Sequence, residues 1–253
     1  MTYVSKTQPY EWQGAAFARF KDARLFALFA EPRTGKTKVI IDVAGYRHTL
    51  PPTSSAFVNA LLVVAMPGRV HRNWVTKEVP AHLSDDVPRL CVVWDAGRAS
   101  TRAFQAELEA LLSFKGLSVL AVNGESVITV SFRRYVARFL RARRVFAVAD
   151  EHTLIMKTPG IKRTKVMHAV GRHQNVVLKS IMDGTPVGEG PLDLYAPMMF
   201  LDWRILGFTS FLAFKHHFAE WEQEMNWQTG KPYEVIKRDK DTKEPIYINL
   251  GEL

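Results

Sequence analysis

The chain has 253 residues, of which 47% are hydrophobic and 23% are charged; these are the proportions of a folded globular protein, and they exclude a disordered one. Lys and Arg outnumber Asp and Glu by nine (34 minus 25), which favours a polyanion such as nucleic acid as partner, although many basic proteins bind none. Cys91 is the only cysteine, so an intramolecular disulfide and a cysteine-built zinc site are both excluded.

Short apolar runs alternate with longer segments of helical spacing along most of the chain, a pattern typical of a parallel sheet flanked by helices. We predict strands over residues 25–30, 60–65, 90–94, 117–122, 145–149 and 176–182. We predict helices over residues 36–47, 70–83, 101–114, 126–143 and 163–172. Joined in this order, these elements form one doubly wound, mostly parallel α/β sheet with helices on both faces.

Towards the C-terminus the pattern changes. Aromatic-rich segments over residues 192–200 and 208–227 are predicted as helices, and a polar stretch after residue 230 ends in a short predicted strand over residues 245–248. We expect the tryptophans of this region to lie in the core rather than on a base-stacking surface: Trp203, Trp221 and Trp227. The chain therefore divides into one domain over residues 1–228 and a polar C-terminal tail over residues 229–253.

Residues 31–37 lie between a predicted strand and a predicted helix, and they end in Gly35, Lys36 and Thr37. A loop in this position directs several backbone N–H groups at one point, and the helix dipole favours an anion there. Gly35 lets the backbone approach a phosphate, the Lys36 ammonium reaches the β- and γ-phosphates, and the Thr37 hydroxyl ligates Mg²⁺. The full pattern has Gly where Ala30 stands, so the alternative is a chance Gly-Lys-Thr in a surface loop. We assign nucleotide contacts in this loop to Thr34, Gly35, Lys36, Thr37 and Lys38.

The fifth apolar run leads directly into Asp150 and Glu151. Open parallel sheets bind ligands at the carboxyl ends of their strands, so this acidic pair is expected to face the phosphate loop. Asp150 would hold Mg²⁺, directly or through water, and Glu151 would orient or deprotonate the water that attacks the γ-phosphate. Together with Lys36 they form the predicted catalytic set. The alternative is an exposed acidic turn, but burying two adjacent carboxylates without a cation would be costly.

The segments Gly35-Lys36-Thr37 and Asp150-Glu151-His152-Thr153 resemble those of superfamily 2 helicases and translocases, in particular the Swi/Snf-like DNA-dependent ATPases and their phage-encoded relatives. The resemblance spans residues 10–218 and implies a RecA-like P-loop NTPase fold. It also implies that the chain is the N-terminal lobe of an ATP-dependent helicase or DNA-dependent ATPase, with ATP and Mg²⁺ as cofactors. Gln13 lies in a segment similar to the upstream glutamine motif, which implies that it reads the adenine edge.

Residues 65–67, followed by Trp74 and Glu78, resemble the family motif whose loop touches the nucleic-acid backbone. The resemblance implies these candidate DNA contacts: Pro67, Arg69, Arg72 and Asn73. Contacts of this kind are independent of base sequence and weaken steeply with salt. Residues 123–126 resemble the Asn-x-Glu turn after the fourth strand. The arginine-rich stretch over residues 133–144 is interpreted as a solvated helix face, and contact with nucleic acid is the alternative.

Residues 182–186 resemble motif III, which in the family couples the ATP state to the nucleic-acid site. The coupling residues implied for this chain are His152, Gly184 and Thr185. Asp183 stands where Thr or Ser is usual. Its carboxylate either alters this coupling or points to solvent, and the sequence leaves both alternatives open.

Members of the family carry a second RecA-like lobe whose arginine finger completes the ATP site, and residues after Phe218 are too few to form one. We therefore expect ATP binding with little turnover by this chain alone, the tail leading toward a second lobe that acts in cis or in trans. The other expected partner is DNA, duplex or single-stranded. No run approaches the ~18 apolar residues of a membrane span, and residues 1–6 lack a signal-peptide core, so we expect no membrane contact and a cytoplasmic protein. The resemblance to phage-encoded relatives adds a phage gene expressed in a bacterial host as one expected origin.

Two other functions stay open at this point. A non-catalytic lobe would bind nucleic acid or a partner protein and use ATP only as a conformational ligand. A P-loop ATPase could also act on no nucleic acid, although the basic charge and the nucleic-acid motif count against it.

Overall fold

A computed structural model describes residues 3–253. Met1 and Thr2 lie outside the described residues; they belong to residues 1–6, for which the sequence predicts no signal-peptide core. The central element is a six-stranded parallel sheet with the order β1-β6-β5-β2-β4-β3. Its strands are β1 (Leu25–Phe29), β2 (Ala60–Ala65), β3 (Arg89–Val93), β4 (Leu117–Asn123), β5 (Val145–Asp150) and β6 (Val176–Asp183). A separate antiparallel pair consists of β7 (Trp221–Met225) and β8 (Pro232–Ile236). The predicted six-stranded parallel sheet is confirmed.

Helices cover both faces of this sheet. They are α1 (Glu11–Phe20), α2 (Lys36–Thr49), α3 (Val70–Asn73), α4 (Val79–His82), α5 (Arg102–Ser113), α6 (Val130–Ala142), α7 (His152–Met156), α8 (Lys162–Gly171), α9 (Tyr195–Leu201) and α10 (Phe211–Phe218). A π-helical turn, Trp74–Glu78, joins α3 to α4. The predicted helix over residues 126–143 is shorter, because Thr129 is extended and its side chain caps α6 by accepting the Phe132 N–H. None of the helices within residues 3–253 has the length and apolar character needed to cross a bilayer.

Side chains that alternate along the central strands divide the core into two layers. In β2, Leu62 and Val64 face one layer and Leu61 and Val63 face the other, and all four are at most 1% exposed. Strands buried on both faces appear in a sequence as continuous apolar runs, which is why the pattern predicted them. The carboxyl ends of the parallel strands meet at one edge of the sheet, and the loops after β1, β2, β5 and β6 lie there.

The region after the sheet departs from the prediction. The helix predicted over residues 208–227 is wrong beyond Phe218, where α10 ends, because the chain turns extended and forms β7. The partner strand β8 follows a turn in which Gly230 has φ +64°, so local spacing gives no signal for the pairing. The strand predicted over residues 245–248 is replaced by isolated bridges, which join Ala219 to Tyr247 and Arg238 to Pro245.

The tryptophans of this region also differ from expectation. Trp203 is 46% exposed and Trp227 is 88% exposed, so a core position is wrong for both. Trp221 is half-buried, and its indole N–H donates to the Lys215 carbonyl at 2.9 Å. Trp227 lies in the turn between β7 and β8, where the Asn226 side chain accepts the Gln228 N–H at 3.0 Å. The predicted boundary at residue 228 falls inside this hairpin and stays a prediction.

Candidate functional site

The loop after β1 and the carboxyl end of β5 line one cleft of about 460 Å³. Gly35, Lys36 and Thr37 come from the loop and the start of α2, and Asp150 and Glu151 come from β5 and the turn after it. In the sheet, β6 lies between β1 and β5, so the two groups meet across the end of a single strand. The structure therefore brings together the loop residues and the acidic pair that lie far apart in the sequence.

Gly35 and Lys36 shape the loop side of the cleft. Gly35 caps α2 in a left-handed conformation, φ +86°, and a Cβ at this position would lie 2.4 Å from the Gln13 amide nitrogen. Lys36 is only 8% exposed, and its ammonium donates to the carbonyls of Ala30 at 2.7 Å and Glu31 at 3.2 Å. A buried cation thus lies at the N-terminus of a 14-residue helix, whose dipole also favours an anion.

Gln13 in α1 supports the same loop. Its side chain is 4% exposed, and its amide nitrogen donates to the carbonyls of Thr34 at 3.2 Å and Gly35 at 3.3 Å. Its side-chain carbonyl accepts the Tyr10 N–H at 2.9 Å, and the Thr34 hydroxyl donates to the Glu31 carbonyl at 2.8 Å. Gln13 therefore fixes the loop, a role that the motif did not reveal, and recognition of an adenine edge by Gln13 stays a prediction.

Lys38 does not take part in this arrangement. Its side chain is buried, and its ammonium pairs with the Asp42 carboxylate at 2.6 Å, one helical turn further along α2. Asp42 also accepts the Tyr3 hydroxyl at 2.8 Å. The Lys38 ammonium is therefore engaged inside the fold, and Lys38 does not line the cleft, so a nucleotide contact by Lys38 stays a prediction.

Asp150 is a buried carboxylate at the end of β5, 7% exposed. Burial raises its pKa from 3.8 to about 6, and the Lys36 ammonium and a hydrogen bond from Trp74 oppose the rise. The Trp74 indole N–H donates to Asp150 Oδ2 at 2.8 Å, and Glu78 from the same π-helical turn lines the cleft. The sequence associated Trp74 and Glu78 only with the nucleic-acid motif. Their four-residue spacing, which places two side chains on one helical face, was the available signal.

Glu151 follows Asp150 in a left-handed conformation, φ +59°, as the N-cap of α7. Burial, together with the neighbouring Asp183 and Asp150 carboxylates, raises the pKa of Glu151 to about 7. A carboxyl group whose pKa lies near neutral pH is suited to exchange protons with a reacting group. The positive φ is uncommon for a residue with a side chain and is found at functional sites.

Asp183, at the end of β6, is fully buried, so the alternative that its carboxylate points to solvent is wrong. Its Oδ2 accepts the Thr153 N–H at 3.0 Å and the Thr153 hydroxyl at 2.7 Å, and its Oδ1 accepts the Thr185 N–H at 2.9 Å. Although burial alone would raise it, these hydrogen bonds hold the pKa of Asp183 below its ordinary value. His152 is also fully buried, with its Nε2 3.8 Å from Asp183 Oδ2, and burial lowers its pKa.

The predicted coupling residues therefore lie in one cluster between the two halves of the cleft. Asp183 joins the turn after β5 to the turn after β6 through its bonds to Thr153 and Thr185. A Cβ on Gly184 would lie 3.0 Å from the Pro32 ring, so this glycine packs directly against the phosphate loop. The turns after β5 and β6 and the loop after β1 are therefore in direct contact with one another.

The loop after β2 forms a further wall of the site. Pro67 lines the cleft, whereas the side chains of Arg69, Arg72 and Asn73 are exposed beside it. The Asn123 side chain, in the predicted Asn-x-Glu turn after β4, donates to the Gly68 carbonyl at 2.5 Å and so ties this loop to the neighbouring strand end. The arginines and Asn73 are accessible to a backbone of nucleic acid, but they face away from the interior of the sheet.

The fit of the cleft to a divalent cation depends on its oxygen ligands. Among residues 3–253 no group of three or more His, Cys, Asp or Glu side chains is arranged to hold a metal ion. Mg²⁺ differs from most metals in this respect, because it keeps several waters and is bound by one or two protein oxygens together with substrate phosphates. Asp150 and the Thr37 hydroxyl, which line the same cleft as Lys36, fit that mode of binding.

No protein-family model matches the chain, and no curated protein was found to match it. Its structure is similar to the SWI2/SNF2 ATPase core of Sulfolobus solfataricus in complex with dsDNA, with a TM-score of 0.60 at 19% identity over 86% of this chain and 40% of that chain. The chain therefore shares the fold of this ATPase core. It is also similar to the UvsW helicase from bacteriophage T4, with a TM-score of 0.52 at 11% identity over 77% of this chain and 58% of that chain. The chain thus spans about half the length of the solved structures that it matches.

Proposed function

We propose that this chain is the MgATP-binding first motor lobe of an ATP-dependent DNA helicase or translocase. The observation that carries the proposal is the single cleft lined both by Gly35, Lys36 and Thr37 and by Asp150 and Glu151. Similarity of fold to the DNA-bound ATPase core and to the helicase described above supports it. Because one fold can host many activities, the residues of the cleft carry the proposal.

Each residue of the cleft has a distinct role in this proposal. Backbone N–H groups at the start of α2 and the Lys36 ammonium bind the phosphates, and Gly35 allows their close approach. Thr37 and Asp150 hold Mg²⁺, whose charge offsets that of the phosphates when it is bound. Glu151 orients the attacking water and accepts its proton, and its pKa of about 7 supports this role.

DNA is the proposed polyanion for the loop after β2. Arg69, Arg72 and Asn73 are exposed next to the cleft, and Pro67 belongs to both. The net charge of +9 is consistent with binding that follows the DNA backbone rather than the base sequence. A second lobe, in cis or in trans, is proposed to supply the cationic group that compensates charge at the γ-phosphate, a contribution worth ~10³-fold or more in rate.

ATP binding and turnover test the proposal directly. Calorimetric titration of the full chain with ATP should show saturable binding that tightens when Mg²⁺ is added, and phosphate release should be slow. Lys36→Ala should abolish the binding. Glu151→Gln should leave binding intact and lower the remaining turnover by about 100-fold or more. Lys165→Ala, an exposed lysine on α8, is the matched control and should change neither. A wild-type chain without Mg²⁺-dependent ATP binding would overturn the proposal.

The DNA part requires its own measurement. The logarithm of the binding constant for a random DNA duplex should fall linearly with the logarithm of the salt concentration. Arg69→Ala and Arg72→Ala should each reduce the magnitude of this slope by about one. Addition of DNA together with the second lobe should raise turnover. Tight ATP binding without any change in turnover would instead favour a non-catalytic lobe, and turnover that is equal with and without DNA would favour an ATPase that acts on no nucleic acid.

A further inference from the structure

We propose that Trp74 is a positioning residue for the metal ligand Asp150, and that through this contact the DNA loop after β2 acts on the metal site. The inference rests on the function proposed above. It assigns to Trp74 a task that is separate from packing: to hold one carboxylate oxygen so that the other is available to Mg²⁺.

The contact itself is a buried hydrogen bond between distant parts of the chain. Trp74 is 1% exposed, and its indole N–H lies 2.8 Å from Asp150 Oδ2. Among the described residues no hydrogen bond reaches Oδ1 of the same carboxylate. A hydrogen bond from a rigid ring to one oxygen fixes the plane of a carboxylate, because the ring cannot follow the carboxylate when it rotates.

The backbone around Trp74 is shaped for this contact. Trp74 begins the π-helical turn Trp74–Glu78, and α-helical turns precede and follow it. A π-turn contains an extra residue compared with an α-turn and is frequent at functional sites. It lets Trp74 bond Asp150 while Glu78, at the other end of the turn, lines the cleft.

The same turn joins the metal ligand to the exposed loop. Arg72 and Asn73, which are exposed, immediately precede Trp74 in the chain. A polyanion held by these residues would therefore pull on the helical turn that carries the indole. Because Asp150 is bonded to that indole, DNA binding should change Mg²⁺ affinity, and Mg²⁺ should change DNA affinity by the same factor.

A second buried tryptophan provides a matched control. Trp94 is 2% exposed and packs among Phe104, Phe132 and Tyr135, and its indole nitrogen has no hydrogen-bond partner within residues 3–253. Trp74→Phe and Trp94→Phe remove the same atoms from the core. Only the first removes a hydrogen bond to Asp150, so a difference between the two variants reports on that bond rather than on lost packing.

The experiment measures the Mg²⁺ dependence of nucleotide binding by the full chain. Trinitrophenyl-ATP is bound in the presence of chelator, and Mg²⁺ is then titrated. For Trp74→Phe the half-saturating Mg²⁺ concentration should rise about tenfold, the usual effect of losing a hydrogen bond to a charged group, while nucleotide affinity without Mg²⁺ stays unchanged. Duplex DNA should shift the Mg²⁺ titration of the wild-type chain and of Trp94→Phe, but not that of Trp74→Phe.

Benzothienylalanine at position 74 keeps the shape of the ring and replaces the N–H by sulfur, so it tests the same bond if Trp74→Phe does not fold. Equal Mg²⁺ dependence in the wild-type chain and in this analogue would overturn the inference and leave the proposed function intact. If the wild-type chain shows no Mg²⁺-dependent binding of nucleotide, the proposed function fails, and the inference fails with it.

Discussion

Replacing Asp150 by asparagine should make the metal-free chain more stable while it removes the proposed Mg²⁺ ligand. Folding raises the pKa of Asp150 from 3.8 to about 6, mainly because the carboxylate is buried. Each unit corresponds to about 1.4 kcal/mol, so the ionised carboxylate costs the folded state about 3 kcal/mol at neutral pH and above. An asparagine carbonyl can still accept the Trp74 indole N–H, so the variant loses the charge and keeps that bond.

The effect should depend on pH with a definite sign. Because the folded-state pKa of Asp150 is the higher one, the stability that this group contributes is full below pH 3.8 and is lost as the pH rises through about 6. The free energy of unfolding of Asp150→Asn should therefore exceed that of the wild-type chain by about 3 kcal/mol near pH 7.5 and by about half of that near pH 5. In a domain of this size, the larger gain corresponds to a rise in Tm of at least about 5 °C.

Urea and thermal unfolding in the presence of chelator measure these differences. Asp42→Asn is the control, because the Asp42 carboxylate is equally buried but pairs with the Lys38 ammonium at 2.6 Å. Removing that charge leaves a buried ammonium without its partner, so this variant should lose about 3–5 kcal/mol. An Asp150→Asn chain that is no more stable than the wild type near pH 7.5 would refute the reasoning, since it would mean that the buried carboxylate carries no penalty.

Three further substitutions test parts of the fold that position the site. Gly35→Ala should lower ATP affinity and destabilise the chain by about 1–2 kcal/mol, because φ is positive and the new Cβ would displace the Gln13 amide; titration and unfolding measure the two effects. Lys38→Met should lower the free energy of unfolding, measured with urea, by about 3–5 kcal/mol, because it leaves a buried carboxylate without its partner. Combining Lys38→Met with Asp42→Leu should restore most of this loss. Thr129→Ala, which removes the cap of α6, should cost about 1 kcal/mol in the same assay.

The substitutions at Gly35 and Lys38 each have an outcome that would contradict the reason given. Gly14→Ala is the control for Gly35→Ala, since Gly14 lies inside α1 with nothing within 4 Å of a new Cβ, and it should be neutral or slightly stabilising. Equal losses at both glycines would show that the loop conformation is not the cause. If the double variant at Lys38 and Asp42 is no more stable than Lys38→Met alone, the ion pair between the Lys38 ammonium and the Asp42 carboxylate is not the interaction that stabilises this part of the core.

The sheet and the two halves of the cleft were predictable because they depend on local order in the sequence. Buried parallel strands are uninterrupted apolar runs, and the phosphate loop and the acidic pair follow such runs directly. The pairing of β7 with β8, and with it the exposure of Trp227, depends on a partner strand beyond a turn, which periodicity does not record. The ion pair of Lys38 and the burial of Asp183 were missed for a related reason: the partner of a polar side chain is set by tertiary contacts.

The position of β6 between β1 and β5 fixes how far the two halves of the cleft stand apart. Neighbouring strands are about 4.8 Å apart, so the backbone ladder holds the end of β1 about 10 Å from the end of β5. The backbone, and no side chain, sets this distance. Substitutions in the loops can therefore change the side chains on each half of the cleft without changing the distance between the halves. The middle strand therefore sets the minimum length of a ligand that contacts both halves of the cleft.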